Sequence, residues 1–216
     1  MKIALILFAY NRPKYLKRAI KTHVIPAGID TFAFIDYSET QKEIYKIIDE
    51  AHIYKTIFKR PENLGLNESI KRGIQHVFNL GYDAVIVLED DLLLSNDALE
   101  YLKHNLKYYT HPYIYAVSCY EGEPLDKRFR CWAWGTWKNA WAEIDWSLEP
   151  KEKNRDSWDV IVGENFRQKG WYCYCSEKSR VKHIGAFGTH YNLIGYLKEK
   201  FFLEKLIYCA LMGCPV

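Results

Sequence analysis

The chain has 216 residues, of which 49% are hydrophobic, and a formal net charge of +3 at pH 7. This length fits one domain, or one domain with a C-terminal extension, and the hydrophobic content suffices for a single large core. The small net charge and the dispersed basic residues give no indication of nucleic-acid binding, and sparse Gly and Pro argue against disorder.

Three further features bear on the cell compartment. No segment reaches the roughly 18 to 20 apolar residues that a membrane-spanning helix needs. The apolar run Ile3–Ala9 is short and lacks a small-residue cleavage site, so it predicts a buried strand rather than a signal peptide. The six cysteines form no Cys-x-x-Cys pair, which favours reduced thiols in a cytoplasmic protein.

The first half of the chain alternates apolar runs with segments of helical periodicity. Amphipathic helices follow the first four of five predicted strands, which lie at 3–9, 31–36, 54–60, 84–89 and 113–118. This alternation predicts a mostly parallel, Rossmann-like α/β sheet with helices on both faces. Such sheets bind ligands beyond the carboxyl ends of their strands.

The second half has a different character. A Trp-rich segment with little periodicity is followed by a predicted helix, a strand and a Gly-punctuated loop, at 157–170, 171–176 and 182–191. We interpret 1–195 as one domain, with a first half at 1–118 and a second half at 119–195. Residues 196–216 predict a C-terminal amphipathic helix.

Three adjacent acids, Glu89, Asp90 and Asp91, follow the most apolar predicted strand. Adjacent carboxylates repel one another unless a cation lies among them. Oxygen ligands of this kind suit Mg²⁺ or Mn²⁺, especially when substrate phosphates complete the coordination shell. The alternative is that the acids cap the next helix or lie in solvent. Capping needs only one acid near Ser95, so we favour a metal site.

Several segments occur in an order that is more specific than any one of them. They are FAYNRPKYLKRAI, RPENLGLNESIKRGI, the strand with Glu-Asp-Asp, and then CWAWGTWKNAW, SWD and HIGAFGTH. Together they resemble the GT-A fold glycosyltransferases of the family 2-like kind, over nearly all of residues 1–192. N-acetylglucosaminyltransferase I is a more distant relative with the same Glu-Asp-Asp.

The resemblance implies a GT-A fold and a metal-dependent, inverting glycosyltransferase. Its donor would be a nucleotide-diphosphate sugar, by resemblance a UDP-sugar, and its cofactor Mn²⁺ or Mg²⁺. The acceptor would be a hydroxyl of a glycan or of a lipid-linked or protein-linked molecule.

The resemblance also implies roles for individual residues in the first half. Asp91 would bind the metal, Asp90 would contact the ribose or sugar, and Glu89 would support both. Arg12 would face the nucleotide, and Asp36 would accept hydrogen bonds from uracil or ribose. Further nucleotide contacts are expected from the backbone of Ala9 and Tyr10 and from Asn63, Ser69 and Lys71. For the last three, a turn or a polar helix face is an equally open interpretation.

In the second half, Asp159 is the candidate general base, because a positioned carboxylate can take the proton of the attacking hydroxyl. Trp158 beside it would raise its pKa by desolvation. Asp156 is an alternative base, and Val160-Ile161 departs from the polar or aromatic pattern of the relatives. His190 would complete the metal shell, although a structural loop histidine is equally open, with His183 as the less favoured substitute.

The aromatic residues and the C-terminal helix offer two more expectations. Trp132, Trp134 and Trp141 have flat faces suited to sugar rings, although core packing is expected for at least two of the tryptophans in this segment. The helix over 196–216 carries lysines beside a Phe-rich face. Packing against the sheet or a partner subunit is favoured over contact with a membrane surface.

Two other function classes remain open. A sugar-phosphate nucleotidyltransferase uses a similar sheet and acid pair, but its Gly-rich first turn is absent from AYNRP. A non-catalytic nucleotide- or carbohydrate-binding module would keep the fold and bind nucleotide regardless of Asp159.

Overall fold

The computed structural model describes residues 1–108, 111–148 and 157–185. The chain divides into two compact units, Met1–His183 and Ile184–Val216. The architecture below is that of the first unit. The expected C-terminal helix at 196–216, with its proposed membrane or partner contact, lies outside the described residues, as do His190 and Asp156.

Strands and helices alternate along the first unit. In chain order they are β1 (Ile3–Ala9), α1 (Pro13–Ala19), β2 (Asp30–Ile35), α2 (Gln41–Glu50), β3 (Thr56–Lys59), α3 (Gly65–Asn79), β4 (Ala84–Glu89), β5 (Leu92–Leu94), α4 (Ala98–Tyr108), β6 (Ile114–Glu121), β7 (Leu125–Asp126), β8 (Trp134–Trp137), α5 (Lys138–Ala142), α6 (Trp158–Lys169), β9 (Tyr172–Ser176) and β10 (Val181–His183).

Eight of these strands form one sheet in the order β3-β2-β1-β4-β8-β6-β9-β7. The first four strands in that order are parallel, and β9 is parallel to β6. The strand β8 lies antiparallel between β4 and β6, and β7 is antiparallel to β9. The sheet is therefore mixed but mostly parallel, as the sequence predicts.

Helices cover both faces of this sheet. On one face, α4 buries Leu99, Leu102 and Leu106 in a cluster with the side chains of alternate β1 residues. On the other face, α3 buries Ile70 and Ile74 in a second cluster that includes α6. All seven residues of β1 are buried, because a strand covered on both faces needs a continuous apolar sequence. The prediction of helices on both faces is confirmed.

One close backbone approach holds β8 in the sheet. A Cβ atom on Gly135 would lie 2.8 Å from the carbonyl oxygen of Val85 and 2.7 Å from Leu106 Cδ1. Gly135 is paired with Ile86 of β4 and with Val117 of β6. Only the absence of a side chain allows β4 and α4 to approach β8 this closely.

The structural elements β5, β8, α5 and β10 depart from the sequence prediction. The Trp-rich segment contains β8 and α5, where no element was expected. The short strands β5 and β10 form a separate antiparallel pair. The strand β10 includes His183, so the predicted loop at 182–191 begins within a strand. The hydrogen bonds of this pair fix the position of His183 relative to the residues after β4.

Among the described residues, none of the helices combines the length and the apolar character that a membrane span requires. The four cysteines that the structure describes, Cys119, Cys131, Cys173 and Cys175, are free thiols.

Candidate active site

The carboxyl ends of β1, β2 and β4 meet at one edge of the sheet. Phe8 is level with Glu89, and Ala9 is level with Ile35. The backbone carbonyl of Ala9 accepts a hydrogen bond of 2.9 Å from the N–H of Asp36. Side chains that follow the three strands are thereby brought together, as expected at the ligand-binding edge of such a sheet.

The centre of this edge is an acid cluster, which we define as Glu89, Asp90 and Asp91, bound by Arg12. Asp90 and Asp91 are almost fully buried, at 1% and 3% exposure. The Arg12 guanidinium places Nη2 2.6 Å from Asp90 Oδ1 and Nη1 2.6 Å from Asp91 Oδ2. The backbone N–H of Tyr10 donates to Asp90 Oδ2 at 3.2 Å. Arg12, which the sequence predicts to face the nucleotide, is thus bound to two of the three acids; its contact with a nucleotide stays a prediction.

His183 reaches the same cluster from β10. It is level with Leu92 in the β5–β10 pair, and its Nε2 lies 3.0 Å from Asp91 Oδ2. Its ring stacks on Trp132, with centroids 4.9 Å apart and planes 8° apart. Sequence reasoning gave His183 only second rank, because a three-residue strand is too short to produce a recognisable periodicity.

The cluster shifts the ionisation of its own members. Removal from water, and then the charge of Asp91, raise the pKa of Glu89 to about 8. Burial raises the pKa of Asp90 to about 6, against the opposing effect of Arg12. Burial would also raise the pKa of Asp91, but the hydrogen bond with His183 and the charge of Arg12 lower it below its ordinary value. Asp91 is therefore ionised at neutral pH, and Asp90, with a pKa of about 6, is mostly ionised as well.

A second polar network lies beside the cluster and is built on Asp36. Its Oδ1 accepts hydrogen bonds of 3.0 Å from the backbone N–H groups of Tyr37 and Leu64. The Asn63 amide donates to the Tyr10 hydroxyl at 2.8 Å, and its oxygen accepts from the Gly65 N–H at 2.7 Å. These bonds tie the turn before α3 to the turn after β1.

Ser69 and Lys71 have different surroundings. Ser69 is buried in α3 at 5% exposure. The Lys71 ammonium lies 5.1 Å from the centroid of the Trp146 ring, beside a cavity of about 730 Å³ that Arg60 and Arg72 also line. No described hydrogen bond or ion pair links Ser69 or Lys71 to the acid cluster, so their nucleotide contacts remain predictions.

Asp159 lies in the first turn of α6, and the Ser157 hydroxyl donates to its Oδ1. The Trp158 backbone N–H donates to the Asn67 side chain at 2.7 Å, which fixes the start of α6 against α3. The charge of Asp159 contributes to the raised pKa of Glu89. The pKa of the Cys131 thiol is raised mainly by burial and next by the charge of Asp159. The predicted base therefore lies near the acid cluster, with Cys131 as a neighbour that sequence reasoning missed.

The tryptophans divide between core and site. Trp134 and Trp141 are buried at 1% and 3% exposure, so the expectation that at least two of the tryptophans pack in the core is confirmed, and these two do not offer faces to sugar rings. Trp158 is also buried, and its ring stacks on Trp134 at 5.6 Å. Trp132, through its stacking on His183, is the tryptophan of the original three that lies at the site.

The residues at this edge fit a divalent cation only in part. The Asp91 carboxylate and the His183 imidazole are ligands that Mn²⁺ accepts, and the surrounding acids supply negative charge. However, no three His, Cys, Asp or Glu side chains converge on a metal position within the described ranges. A bound ion would therefore require further ligands, and substrate phosphates are the usual source.

Similarity to solved structures agrees with this fold. A mannosyltransferase from Pyrobaculum calidifontis, PcManGT, in complex with GDP-Man and Mn²⁺, matches 81% of this chain and 54% of its own, at 13% identity and a TM-score of 0.60. Residues 1–349 of TarS from S. aureus match 86% of this chain and 61% of that one, at 12% identity and a TM-score of 0.57. TarS also has a structure in complex with UDP.

A cytidylyltransferase from Leptospira borgpetersenii also matches, over 83% of this chain and 78% of its own, at 13% identity and a TM-score of 0.55. The chain thus spans little more than half the length of the mannosyltransferase. No family model matches the sequence, and no curated protein matches it. At these identities the similarity establishes the fold, which is that of nucleotide-sugar transferases of the GT-A type.

Proposed function

We propose that this protein is a metal-dependent glycosyltransferase that takes a sugar from a nucleotide-diphosphate sugar. The observation that supports it most strongly is the acid cluster at the carboxyl end of β4, near the Asp159 carboxylate. The cluster offers carboxylates to a cation that also binds phosphates, and Asp159 is a proton acceptor near it. Open α/β sheets bind their ligands at this edge, and PcManGT, whose structure contains GDP-Man and Mn²⁺, shares the fold. Together these make a transferase the preferred enzyme class.

The donor nucleotide binds along β1, β2 and the start of α3. Asp36 accepts hydrogen bonds from the base or ribose, and the backbone of Ala9 and Tyr10 lines the base. Asn63 holds Tyr10 in place through the hydrogen bond to its hydroxyl. Ser69 and Lys71 extend this surface. UDP is the proposed nucleotide, on the resemblance of the sequence motifs.

Mn²⁺ or Mg²⁺ is the proposed cofactor, and when bound it neutralises the diphosphate leaving group. Asp91 is the proposed carboxylate ligand, and His183 or His190 the imidazole ligand. His183 Nε2 now lies within hydrogen-bond distance of Asp91, and the tautomer with its proton on Nδ1 frees Nε2 to bind a metal. Asp90 is proposed to contact the ribose or sugar, and Glu89 to support the ligands.

Asp159 is the proposed general base, which removes the proton of an acceptor hydroxyl as it attacks the anomeric carbon, so that configuration inverts. Asp156 remains the alternative. The acceptor is a hydroxyl of a glycan or of a lipid-linked or protein-linked molecule. We also propose that the protein is cytoplasmic and has one domain over 1–195. The helix proposed over 196–216 would be able to contact a membrane surface.

Thermal unfolding tests the donor class and the metal together. The protein is heated with UDP, GDP, CMP or dTDP, with and without Mn²⁺. A ligand at a hundredfold excess over its dissociation constant stabilises the folded state by about 2.7 kcal/mol. We expect a shift with one nucleotide that requires Mn²⁺, is abolished in Asp91→Ala, and is weakened in His183→Ala. The exposed Asp49→Ala serves as the control. Failure of every nucleotide to shift the transition would contradict the proposal.

A sugar-phosphate nucleotidyltransferase is the second candidate, because a cytidylyltransferase shares the fold. It predicts stabilisation by a nucleoside triphosphate and release of pyrophosphate with a sugar phosphate. Adding CTP and UTP to the same panel separates the two classes. A non-catalytic binding module would show the nucleotide shift without transfer in any donor and acceptor assay.

A further inference from the structure

The same carboxylate oxygens that a metal would need are occupied by Arg12. We propose that Arg12 is the resident counter-ion of Asp90 and Asp91, and that metal and diphosphate bind by exchange with it. The metal would take Asp91 as its carboxylate ligand, and the Arg12 guanidinium would move from both carboxylates to the diphosphate. This inference rests on the proposed function, and it makes Arg12 a positioning residue that couples metal binding to nucleotide binding.

The hydrogen bonds at the two carboxylates support the exchange. Asp91 Oδ2 receives both Arg12 Nη1 at 2.6 Å and His183 Nε2 at 3.0 Å. Asp90 has Arg12 on Oδ1 at 2.6 Å and the Tyr10 N–H on Oδ2 at 3.2 Å. Three of the four carboxylate oxygens are therefore engaged by donors that a cation would have to displace or share.

Burial explains why a counter-ion is present. Asp90 and Asp91 are at most 3% exposed, and an unpaired buried carboxylate is strongly destabilising. Arg12 supplies one positive charge and two parallel donors, which is the geometry that guanidinium groups use with paired oxygens. A divalent ion placed beside the same two carboxylates would repel Arg12, because both carry positive charge.

Arg12 is also placed so that its side chain can move alone. Its backbone carbonyl accepts hydrogen bonds from the N–H groups of Tyr15 and Leu16, at 3.1 and 3.0 Å, which hold the start of α1. Its side chain is 22% exposed, in contrast to both carboxylates that it binds. A guanidinium that binds carboxylates also binds phosphate oxygens bidentately, so a bound diphosphate offers Arg12 a partner of equal quality.

The exchange makes a thermodynamic prediction. A metal without diphosphate must displace Arg12 without giving it a new partner, so the metal alone binds weakly. When diphosphate is present, the Arg12 guanidinium donates hydrogen bonds to it instead of to the carboxylates. The metal and the diphosphate therefore each raise the affinity of the protein for the other.

The test is a titration of the whole protein with Mn²⁺ at pH 8, followed by electron paramagnetic resonance of free Mn²⁺. It is performed alone, with inorganic pyrophosphate, and with UDP. The variants are Arg12→Gln, Arg12→Lys and, as the matched control, Lys14→Gln, which removes an exposed cation from the same turn.

We expect Arg12→Gln to bind Mn²⁺ alone roughly tenfold more tightly than the natural protein, since it removes two charge-assisted hydrogen bonds with the carboxylates. The enhancement of Mn²⁺ affinity by pyrophosphate or UDP should largely disappear. Arg12→Lys, which keeps the charge but cannot bridge both carboxylates, should lie between the two. Lys14→Gln should match the natural protein in every titration.

Two outcomes would overturn the exchange. If Arg12→Gln binds Mn²⁺ no more tightly than the natural protein, or keeps the full enhancement by diphosphate, Arg12 does not compete with the metal. Circular dichroism checks that each variant is folded. If Arg12→Gln does not fold, the Mn²⁺ affinity of Arg12→Lys is compared with that of the natural protein instead. If either of these outcomes is found while the natural protein still binds Mn²⁺ and UDP, only the exchange is contradicted and the proposed function stands. If it binds neither, the proposed function is lost as well.

Discussion

Asp159 is the residue proposed to take part directly in proton transfer during the reaction. Its carboxylate is held in the first turn of α6 by Ser157, and α6 is tied to α3 through Asn67. The residue thus has a fixed position relative to the acid cluster, although the two come from distant parts of the sequence. A positioned base of this kind contributes a large rate factor without taking part in donor binding.

We therefore expect Asp159→Asn to lower the rate of sugar transfer by roughly 10²- to 10⁴-fold. Nucleotide and Mn²⁺ should still raise its unfolding temperature as in the natural protein, since the amide keeps the size of the side chain. The comparison needs a transfer assay and the thermal measurement on the same sample. Asp49→Asn, on the exposed face of α2, is the control. Full transfer activity in Asp159→Asn would exclude it as the base.

The sequence predicts single residues best where they directly follow a strand. Arg12, Asp36 and the three acids all lie at the expected sheet edge, because the end of an apolar run marks the end of a strand. His183 and Cys131 were missed or ranked low. Their position depends on pairing between distant segments, such as β10 with β5, and nothing local in the sequence records that pairing.

At the level of elements, the first half was predictable, whereas in the second half only α6 and β9 were. The strands β1, β2 and β4 are long, apolar and separated by amphipathic helices, so their periodicity is clear. The strand β8 has the sequence WGTW, which is too short for a pattern and contains a glycine, a residue that weakens strand propensity. Its position between β4 and β6 arises from tertiary packing, above all from the absence of a side chain at Gly135.

Gly135→Ala tests that packing. The added methyl group would meet the Val85 carbonyl oxygen at 2.8 Å, and a backbone atom in the centre of a sheet cannot move aside. We expect the free energy of unfolding to fall by about 1 to 3 kcal/mol, in the range of other overpacked cores. Denaturant unfolding followed by circular dichroism gives the value.

Gly163→Ala is the matched control for this substitution. Gly163 lies in α6, and a Cβ there would meet nothing within 4 Å. The change should be neutral or should stabilise the protein by up to about 1 kcal/mol, since alanine favours helix. Equal destabilisation by both substitutions would show that the close approach of β4 to β8 is not the cause.

At the scale of the whole molecule, acid stability depends on a buried pair far along the chain from the acid cluster. His23 Nδ1 and the Tyr54 hydroxyl are 2.8 Å apart, and both residues are at most 6% exposed. The His23 Nε2 atom is buried without a hydrogen-bond partner in the described structure. Burial lowers the pKa of His23 from 6.5 to about 4, because a charged ring would lose its hydration.

The direction of the pH effect follows from this shift. The unfolded state binds the proton near pH 6.5 and the folded state only near pH 4, so folding is favoured above pH 6.5 and loses stability as the pH falls towards 4. The loss attributable to His23 is roughly 3 kcal/mol. Urea unfolding at several pH values should therefore show a flatter profile for His23→Gln, whose amide does not titrate. His104→Gln, at an exposed position, should keep the natural profile.

The order of strands in the sheet also has a consequence for the protein as it is being synthesised. The four parallel strands β1 to β4 leave the ribosome before β8 does, but the second edge of β4 pairs with Trp134–Trp137 of β8. Until then the strand AVIVLE presents unpaired backbone groups and a continuous apolar sequence, the combination that promotes association between nascent chains. The predicted division at residue 118 therefore does not coincide with a boundary of the sheet. A polypeptide that ended at residue 118 would lack β8, the strand that pairs with the second edge of β4.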